Sequence, residues 1–198
     1  MRAVLRVTQC ILFASAAVLL GYWGVVAADT GIFQHRESGN LDRLLKFPAA
    51  PGPAAVRSAG LIGRLEIPRL GLSAMLMEGD DPKTLRRAVG HIPGTPLPGR
   101  PGNFALSGHR DTFFRPLRNI RENDIIVVTT LTGEFRYRVV STRVVSPDAV
   151  AVLNASQSEI LTLVTCYPFY FVGPAPDRFI VRAERLAATQ SGPGGLNL

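Results

Sequence analysis

The sequence predicts an all-β fold: a closed β-barrel with short helices, preceded by one transmembrane helix. Between residues 61 and 186, short apolar or alternating segments are separated by glycine and proline turns. Little helical periodicity appears there, which favours a barrel or a sandwich, and a closed barrel leaves few unpaired strand edges. Upstream, residues 7–28 carry no charge, which indicates a separate membrane segment.

The uncharged run is long enough, as a helix, to cross a hydrocarbon core of about 30 Å. Arg2 and Arg6 precede it, and such residues favour a cytoplasmic N-terminus. We therefore expect a single-pass anchor in the cytoplasmic membrane, with the rest of the chain outside. The alternative is a cleaved secretory signal, with a small-residue cleavage site at residues 26–28. Both interpretations export the same domain.

We expect four parts along the chain. Residues 1–28 form a cytoplasmic stub and anchor, 29–60 a spacer, 61–187 the main domain and 188–198 a flexible tail. The spacer holds a predicted short helix at residues 34–47, followed by a semi-rigid stretch rich in proline, alanine and glycine.

Strands are predicted from period-two alternation and from runs of β-branched residues. A short helix is predicted at residues 81–88, which begin with Asp-Pro. The predicted strands cover residues 61–67, 124–131, 135–139, 160–166 and 179–186.

Charge and cysteine content narrow the function. The formal net charge of +7 is spread along the chain, so no dense basic stripe indicates nucleic-acid binding. Of the two cysteines, Cys10 lies in the apolar run and is interpreted as a small apolar residue. Cys166 is the one thiol of the exported part, where unpaired cysteines are either buried and inert or kept for reactivity.

Three residues form a candidate catalytic set. Cys166 stands in Thr-Cys-Tyr-Pro, His109 follows Ser-Gly, and Arg178 follows an aspartate shortly after the thiol. A thiolate is a strong nucleophile, an imidazole can protonate a leaving amine, and a guanidinium can stabilise an oxyanion. Taken singly, each residue also fits a non-catalytic role: a core cysteine, a hydrogen-bonding histidine at a strand end, or a surface arginine. The ordered combination favours catalysis.

Longer motifs carry a family resemblance. Residues 91–99 read His-Ile-Pro-Gly-Thr-Pro-Leu-Pro-Gly, residues 107–117 contain Ser-Gly-His-Arg-Asp-Thr-Phe-Phe, and residues 165–169 read Thr-Cys-Tyr-Pro-Phe. With Asp-Arg-Phe at 177–179 in the same order, the chain resembles a sortase of the class D type over about two-thirds of its length.

The resemblance implies a barrel of about eight strands behind a membrane anchor. It implies cleavage of a Leu-Pro-X-Thr-Gly or Leu-Pro-X-Thr-Ala sorting signal on secreted proteins, and acyl transfer to an amine acceptor of the cell wall or a pilin. By motif, Cys166 is the nucleophile, His109 the proton-transfer residue and Arg178 the oxyanion stabiliser. Thr165 is a candidate substrate-binding residue, with plain strand packing as its alternative.

Two positions depart from the family pattern. Asn123 stands where glycine is expected in a turn, and asparagine tolerates the left-handed backbone that such a turn needs. Asp177 directly precedes Arg178. Neighbouring side chains on a strand point to opposite faces, so we expect it to affect the arginine little.

No cofactor or metal site is expected. The three histidines are far apart in sequence, and no metal-ligand spacing appears. Acidic residues such as Glu78, Asp80 and Asp81 could collect a calcium ion, but such a run is usually a solvated turn. His91 is interpreted as organising its own proline- and glycine-rich loop.

Two rival functions remain at this stage. An L,D-transpeptidase or papain-like peptidase also uses an exported cysteine. An L,D-transpeptidase has its histidine much closer upstream of the cysteine than the 57 positions from His109 to Cys166 (166 − 109). A papain-like peptidase has its cysteine before its histidine, which is the reverse of the order here. A nonenzymatic membrane-anchored barrel that binds a partner is the second rival.

Overall fold

The computed structural model describes residues 2–46, 60–171 and 173–187. A long helix, α1 (Arg2–Lys46), precedes eight strands and one short α-helix, with three 3-10 helices at Pro68–Leu70, Arg115–Asn119 and Val150–Leu153. In chain order the strands and the short α-helix are β1 (Leu61–Ile67), β2 (Leu72–Glu78), α2 (Pro82–Arg87), β3 (Val89–His91), β4 (Gly102–Ser107), β5 (Ile125–Thr130), β6 (Gly133–Val145), β7 (Glu159–Tyr167) and β8 (Asp177–Arg185).

The strands close into one barrel, in the order β1-β2-β3-β4-β7-β8-β6-β5. Two of the pairs, β2–β3 and β4–β7, are parallel, and the others are antiparallel. The predicted closed barrel of about eight strands behind a long apolar helix is therefore confirmed. Strands β2, β3 and β4 were not predicted from the sequence, because β3 is very short and β4 lies inside a motif-rich segment.

The barrel interior explains the alternating pattern of the strands. In β1 every second residue is buried, and in β6 Tyr137 and Val139 are buried while Arg136 and Arg138 are exposed. The buried Tyr137 hydroxyl donates to Glu159 Oε1 at 2.5 Å. Burial is the main cause that raises the pKa of Tyr137, and the Glu159 carboxylate is the second. The phenol therefore stays neutral inside the barrel.

The helix α1 does not end at the membrane segment. We expected a separate short helix at 34–47 within a spacer, but one continuous helix runs to Lys46. Its last part packs on the barrel: Leu41 is fully buried beside Leu61 and Met75. Residues 47–59 of the expected spacer and 188–198 of the expected tail lie outside the described residues.

Polar contacts add to the helix docking. The Gln34 amide donates to the Arg87 carbonyl oxygen and accepts from the Met75 backbone N–H at 2.9 Å. Asp29 pairs with Arg87 at 2.8 Å, and Arg64 pairs with Asp42. Because these contacts are spread from Asp29 to Asp42, the end of α1 is held along its length.

The turn before β5 keeps the conformation that its unusual asparagine predicts. Asn123 has φ 70°, the one positive φ at a non-glycine position in the described part of the chain. The next residue, Asp124, accepts hydrogen bonds from the Arg121 backbone N–H at 2.8 Å and from Arg69 at 2.6 Å. The Arg69 guanidinium holds the pKa of Asp124 below its usual value.

This pair predicts a pH-dependent stability. A carboxyl whose folded pKa is lowered stabilises the fold fully above its unfolded pKa, about 3.9, and loses that contribution as the pH falls through the folded value. We expect Asp124→Asn to lower the free energy of unfolding by about 1 kcal/mol at pH 7, since Arg69 is partly solvent-screened. The difference should shrink below about pH 4.

Chemical unfolding of both proteins in detergent at neutral and acidic pH measures this difference. Asp148→Asn, at an exposed loop position, is the matched control. A difference that stays constant across the pH range would contradict the assigned ion pair.

Candidate active site

The parallel pairing of β4 with β7 brings two of the predicted residues together. Ser107 lies opposite Val164, and the Gly108 backbone N–H donates to the Val164 carbonyl at 3.2 Å. His109, the next residue, therefore leaves β4 at the level where β7 reaches Cys166. Both strands end there, so the two side chains lie at the same end of the barrel.

The third predicted residue lies across the neighbouring strand pair. In the antiparallel β7–β8 ladder, Cys166 is directly opposite Arg178. Directly opposed residues on such strands have their Cβ atoms about 4.5–5.5 Å apart. Residues separated by 57 positions (166 − 109) and by 12 positions (178 − 166) thus meet at one barrel end.

Solvent access suits a reactive site. His109 is exposed, and Cys166 and Arg178 are half-buried. A thiol at this depth can be reached by a substrate and is still flanked by protein. The non-catalytic alternative for Cys166, a buried core cysteine, does not fit this partial exposure.

The Arg178 guanidinium is held by the loop that precedes it. Its Nη1 donates to the backbone carbonyl oxygens of Asp177 at 3.0 Å and Ala175 at 3.3 Å. Within the described part of the chain, no ion pair joins the Asp177 and Arg178 side chains. Asp177 therefore leaves the arginine's charge available, as its strand position suggested.

Thr165 is hydrogen-bonded to the backbone just after β4. Its side chain is buried, and its hydroxyl donates to the Gly108 carbonyl oxygen at 2.7 Å. The bond ties the residue before Cys166 to the residue before His109. Substrate binding by Thr165 stays a prediction, and the geometry gives it a positioning role between the two strands.

Aromatic rings pack beside the thiol. Phe169 makes edge contacts with Tyr167, at 6.0 Å between centroids, and with Phe179, at 5.3 Å. Tyr167 and Phe179 stack at 6.2 Å. These rings support the ends of β7 and β8, while Tyr170 is exposed in the loop between them.

The remaining candidates lie outside this group. His91 is buried, with Nδ1 2.9 Å from Glu78 and Nε2 2.8 Å from Thr95, so it organises its own loop. Asp81 caps α2 by accepting from Lys83 and Thr84. In residues 2–46, 60–171 and 173–187, no three His, Cys, Asp or Glu side chains gather as a metal site would require.

One residue near the site was missed by the sequence interpretation. Arg110, directly after His109, is buried and bonds to three backbone carbonyls of the loop that follows Cys166. Its position next to the histidine was the only signal in the sequence, and an arginine there is as compatible with the surface as with the interior.

The bond between Thr165 and Gly108 gives a testable prediction. Thr165→Val keeps the shape but leaves the buried Gly108 carbonyl without this donor, which costs about 1–3 kcal/mol of stability. Thr165→Ser keeps the hydroxyl and should retain most of that stability. We expect faster amide hydrogen exchange around Gly108 in the valine variant only, measured by mass spectrometry. Equal exchange in both variants would contradict the positioning role.

Known proteins share both the sequence pattern and the fold. The family model described as the sortase domain matches residues 65–186. Sortase D of Bacillus subtilis (strain 168) is 30% identical over 198 residues, covering 91% of this chain and 98% of that protein. Sortase SrtE1 of Streptomyces coelicolor is 35% identical over a stretch that covers 52% of this chain and 35% of that protein.

Solved structures agree with these relatives. A Clostridium perfringens Sortase D5 transpeptidase superposes with a TM-score of 0.64 at 26% identity, covering 75% of this chain and 95% of that one. Sortase C1 from Streptococcus agalactiae gives a TM-score of 0.60 at 31% identity, covering 65% and 68%. The class D resemblance is confirmed, and the rival enzyme families and the nonenzymatic barrel are set aside. The chain belongs to the sortase family of cysteine transpeptidases.

Proposed function

We propose that this sortase cleaves a Leu-Pro-X-Thr-Gly or Leu-Pro-X-Thr-Ala sorting signal and transfers the protein to an amine. The observation that supports the site assignment is the register of β7, which sets Cys166 opposite Arg178 and Val164 opposite Ser107, two residues before His109. The sorting signals and acceptors are those that the sequence resemblance implies. The substrates are secreted proteins, and the acceptor is an amine of the cell wall or a pilin.

In the first half-reaction, the Cys166 thiolate attacks the carbonyl carbon of the threonine in the signal. The carbonyl electrons move onto oxygen, and Arg178 donates hydrogen bonds to that oxyanion. Collapse of the intermediate breaks the peptide bond after threonine, and His109 gives its proton to the departing amine. A thioester between Cys166 and the substrate protein remains.

In the second half-reaction, the acceptor amine attacks the thioester carbonyl. His109, now neutral, takes the proton that the amine loses as its new bond forms. The C–S bond breaks and returns the Cys166 thiolate, while an amide joins the substrate to the acceptor. The exposure of His109 leaves room for an acceptor to approach from solvent.

We further propose that α1 anchors the enzyme in the cytoplasmic membrane. The helix is long and apolar enough to cross a membrane, and large apolar side chains such as Leu5 and Trp23 are both 74% exposed. Such a continuous apolar surface suits lipid rather than water. We place residues 1–28 in the stub and anchor, 29–60 in the spacer, 61–187 in the catalytic domain and 188–198 in the tail.

The docked part of the spacer gives the anchor a further consequence. Because residues 29–46 continue the helix and pack on the barrel, they support it as an arm rather than as a flexible tether. The barrel is then held close to the membrane surface, where substrates with their own membrane tails are concentrated.

The nucleophile assignment predicts a clean loss of function. Cys166→Ala should abolish cleavage of a sorting peptide, because no other side chain at the site can form the thioester. Cys10→Ala is the matched control, since it removes the other thiol from the apolar part of α1 and should leave cleavage unchanged. Cleavage at near wild-type rate by Cys166→Ala, measured with the full chain in detergent, would overturn the assignment.

The oxyanion assignment predicts that charge alone is insufficient at position 178. Arg178→Lys should lower kcat/KM by more than about tenfold, because an ammonium cannot reproduce the forked donors of a guanidinium. Arg182→Lys, on the same strand, is the control. Full activity of Arg178→Lys in steady-state kinetics would show that a plain positive charge suffices.

The anchor predicts the state of the mature protein. We expect the full-length chain in the membrane fraction with its N-terminal segment retained, because the uncharged run is long and includes Tyr22 and Trp23 near its outer end. Intact-mass spectrometry of the protein from its native host measures this. An N-terminus at Asp29 would establish secretion instead.

A further inference from the structure

Arg110 is a buried cation beside the proposed active site that the reaction above does not use. Its side chain is 8% exposed. It lies directly after His109 and beneath the β7–β8 loop, defined here by the described residues 168–171 and 173–176. That loop leaves β7 just after Cys166 and enters β8 just before Arg178.

The guanidinium binds the loop through its backbone. Nη1 donates to the Pro168 carbonyl oxygen at 3.0 Å. Nη2 donates to the carbonyl oxygens of Phe171 at 2.7 Å and Gly173 at 3.2 Å. The guanidinium carbon also lies 5.9 Å from the centre of the Phe171 ring. The loop thus folds around one side chain.

Among the described residues, the ionic partner of Arg110 is a weak one. Nε lies 3.5 Å from Oδ2 of Asp111, whose side chain is 70% exposed. Carbonyl dipoles therefore supply most of the compensation for the buried charge. Since a buried cation without partners is costly, the folded chain favours loop conformations that keep all three carbonyls in place.

We propose that Arg110 is a positioning residue that orders the β7–β8 loop before the sorting peptide binds. This inference rests on the proposed function, because it takes Cys166 and Arg178, which flank the loop, as the reacting groups. When a binding-competent conformation is only partly populated, the apparent dissociation constant rises by the inverse of that fraction. Without Arg110, the peptide itself must supply the ordering of the loop.

The shape of the donor group explains why arginine is needed. A guanidinium spreads its donors over a rigid fork and can reach carbonyls on both sides at once. A lysine ammonium offers a single nitrogen, and a glutamine amide offers one uncharged donor group. Arg110→Lys should therefore keep part of the loop order, and Arg110→Gln less.

The test is steady-state cleavage of quenched fluorescent peptides containing Leu-Pro-Glu-Thr-Gly or Leu-Pro-Glu-Thr-Ala by the full chain in detergent. We expect Arg110→Gln to raise KM by about tenfold with kcat changed by less than about threefold, and Arg110→Lys to lie between it and wild type. Arg138→Gln, which removes an exposed arginine from β6, should leave both constants unchanged.

Amide hydrogen exchange of the peptide-free proteins gives a readout that is independent of activity. We expect faster exchange in the β7–β8 loop of both Arg110 variants and unchanged exchange in the strands. If Arg110→Gln does not fold, as judged by its thermal unfolding, Arg110→Lys decides the question by the same two measurements.

Several outcomes would overturn the inference. An unchanged KM with unchanged loop exchange would show that the loop orders itself. A fall in kcat at constant KM would place Arg110 in the chemistry rather than in loop ordering. Wild-type protein without Cys166-dependent cleavage would instead count against the proposed function, and the exchange experiment would still decide whether Arg110 orders the loop.

Discussion

The parallel pairing of β4 with β7 is the contact on which the site depends. Two buried side-chain hydrogen bonds hold the register of this strand pair. The Thr162 hydroxyl donates to the Asn103 side-chain oxygen at 2.6 Å, and the Thr165 hydroxyl donates to the Gly108 carbonyl oxygen at 2.7 Å, near the end of the pair. A slip of one residue would break both bonds and turn every side chain of the strand to the other face. The same register sets the level at which His109 leaves β4 relative to Cys166 on β7.

The β4–β7 pair is also connected to the rest of the barrel. The Asn103 amide nitrogen donates to the carbonyls of Val152 and Asn154, which fastens the chain between β6 and β7 to the start of β4. On the other side, β7 carries Cys166 opposite Arg178 of β8. Backbone ladders thus position Cys166 and Arg178, while His109 follows the end of β4, and all three lie near strand ends where their side chains stay accessible.

A second theme is the use of arginines as structural donors. Arg110 gathers loop carbonyls, Arg69 braces the turn at Asp124, and Arg178 bonds to the loop that precedes it. Of these three arginines only Arg110 is buried, but in each case the forked guanidinium donors satisfy more than one acceptor. Arginines also fasten the end of α1, since Arg87 pairs with Asp29 and Arg64 pairs with Asp42.

Local signals in the sequence carried much of the interpretation. Alternation in β1 and β6 identified strands whose inner residues fill the barrel, and the capping aspartate of α2 marked its start, because these features depend on near neighbours alone. The motifs around His109, Cys166 and Arg178 indicated the family and its chemistry. Asn123 kept its turn for the same reason, since left-handed backbone is a property of the residue itself.

Other features depended on contacts between distant residues, and only the tertiary structure decided them. The continuation of α1 onto the barrel rests on Leu41 meeting Leu61 and Met75, which no local pattern reveals. Thr165 and Arg110 owe their partners to the pairing of strands and to the fold of a loop far along the chain. By itself the sequence determined which residue types were present and the local elements that they favour. The burial and hydrogen bonding of each side chain were set by the closed barrel, because the pairing of its strands determines which residues distant in sequence come into contact.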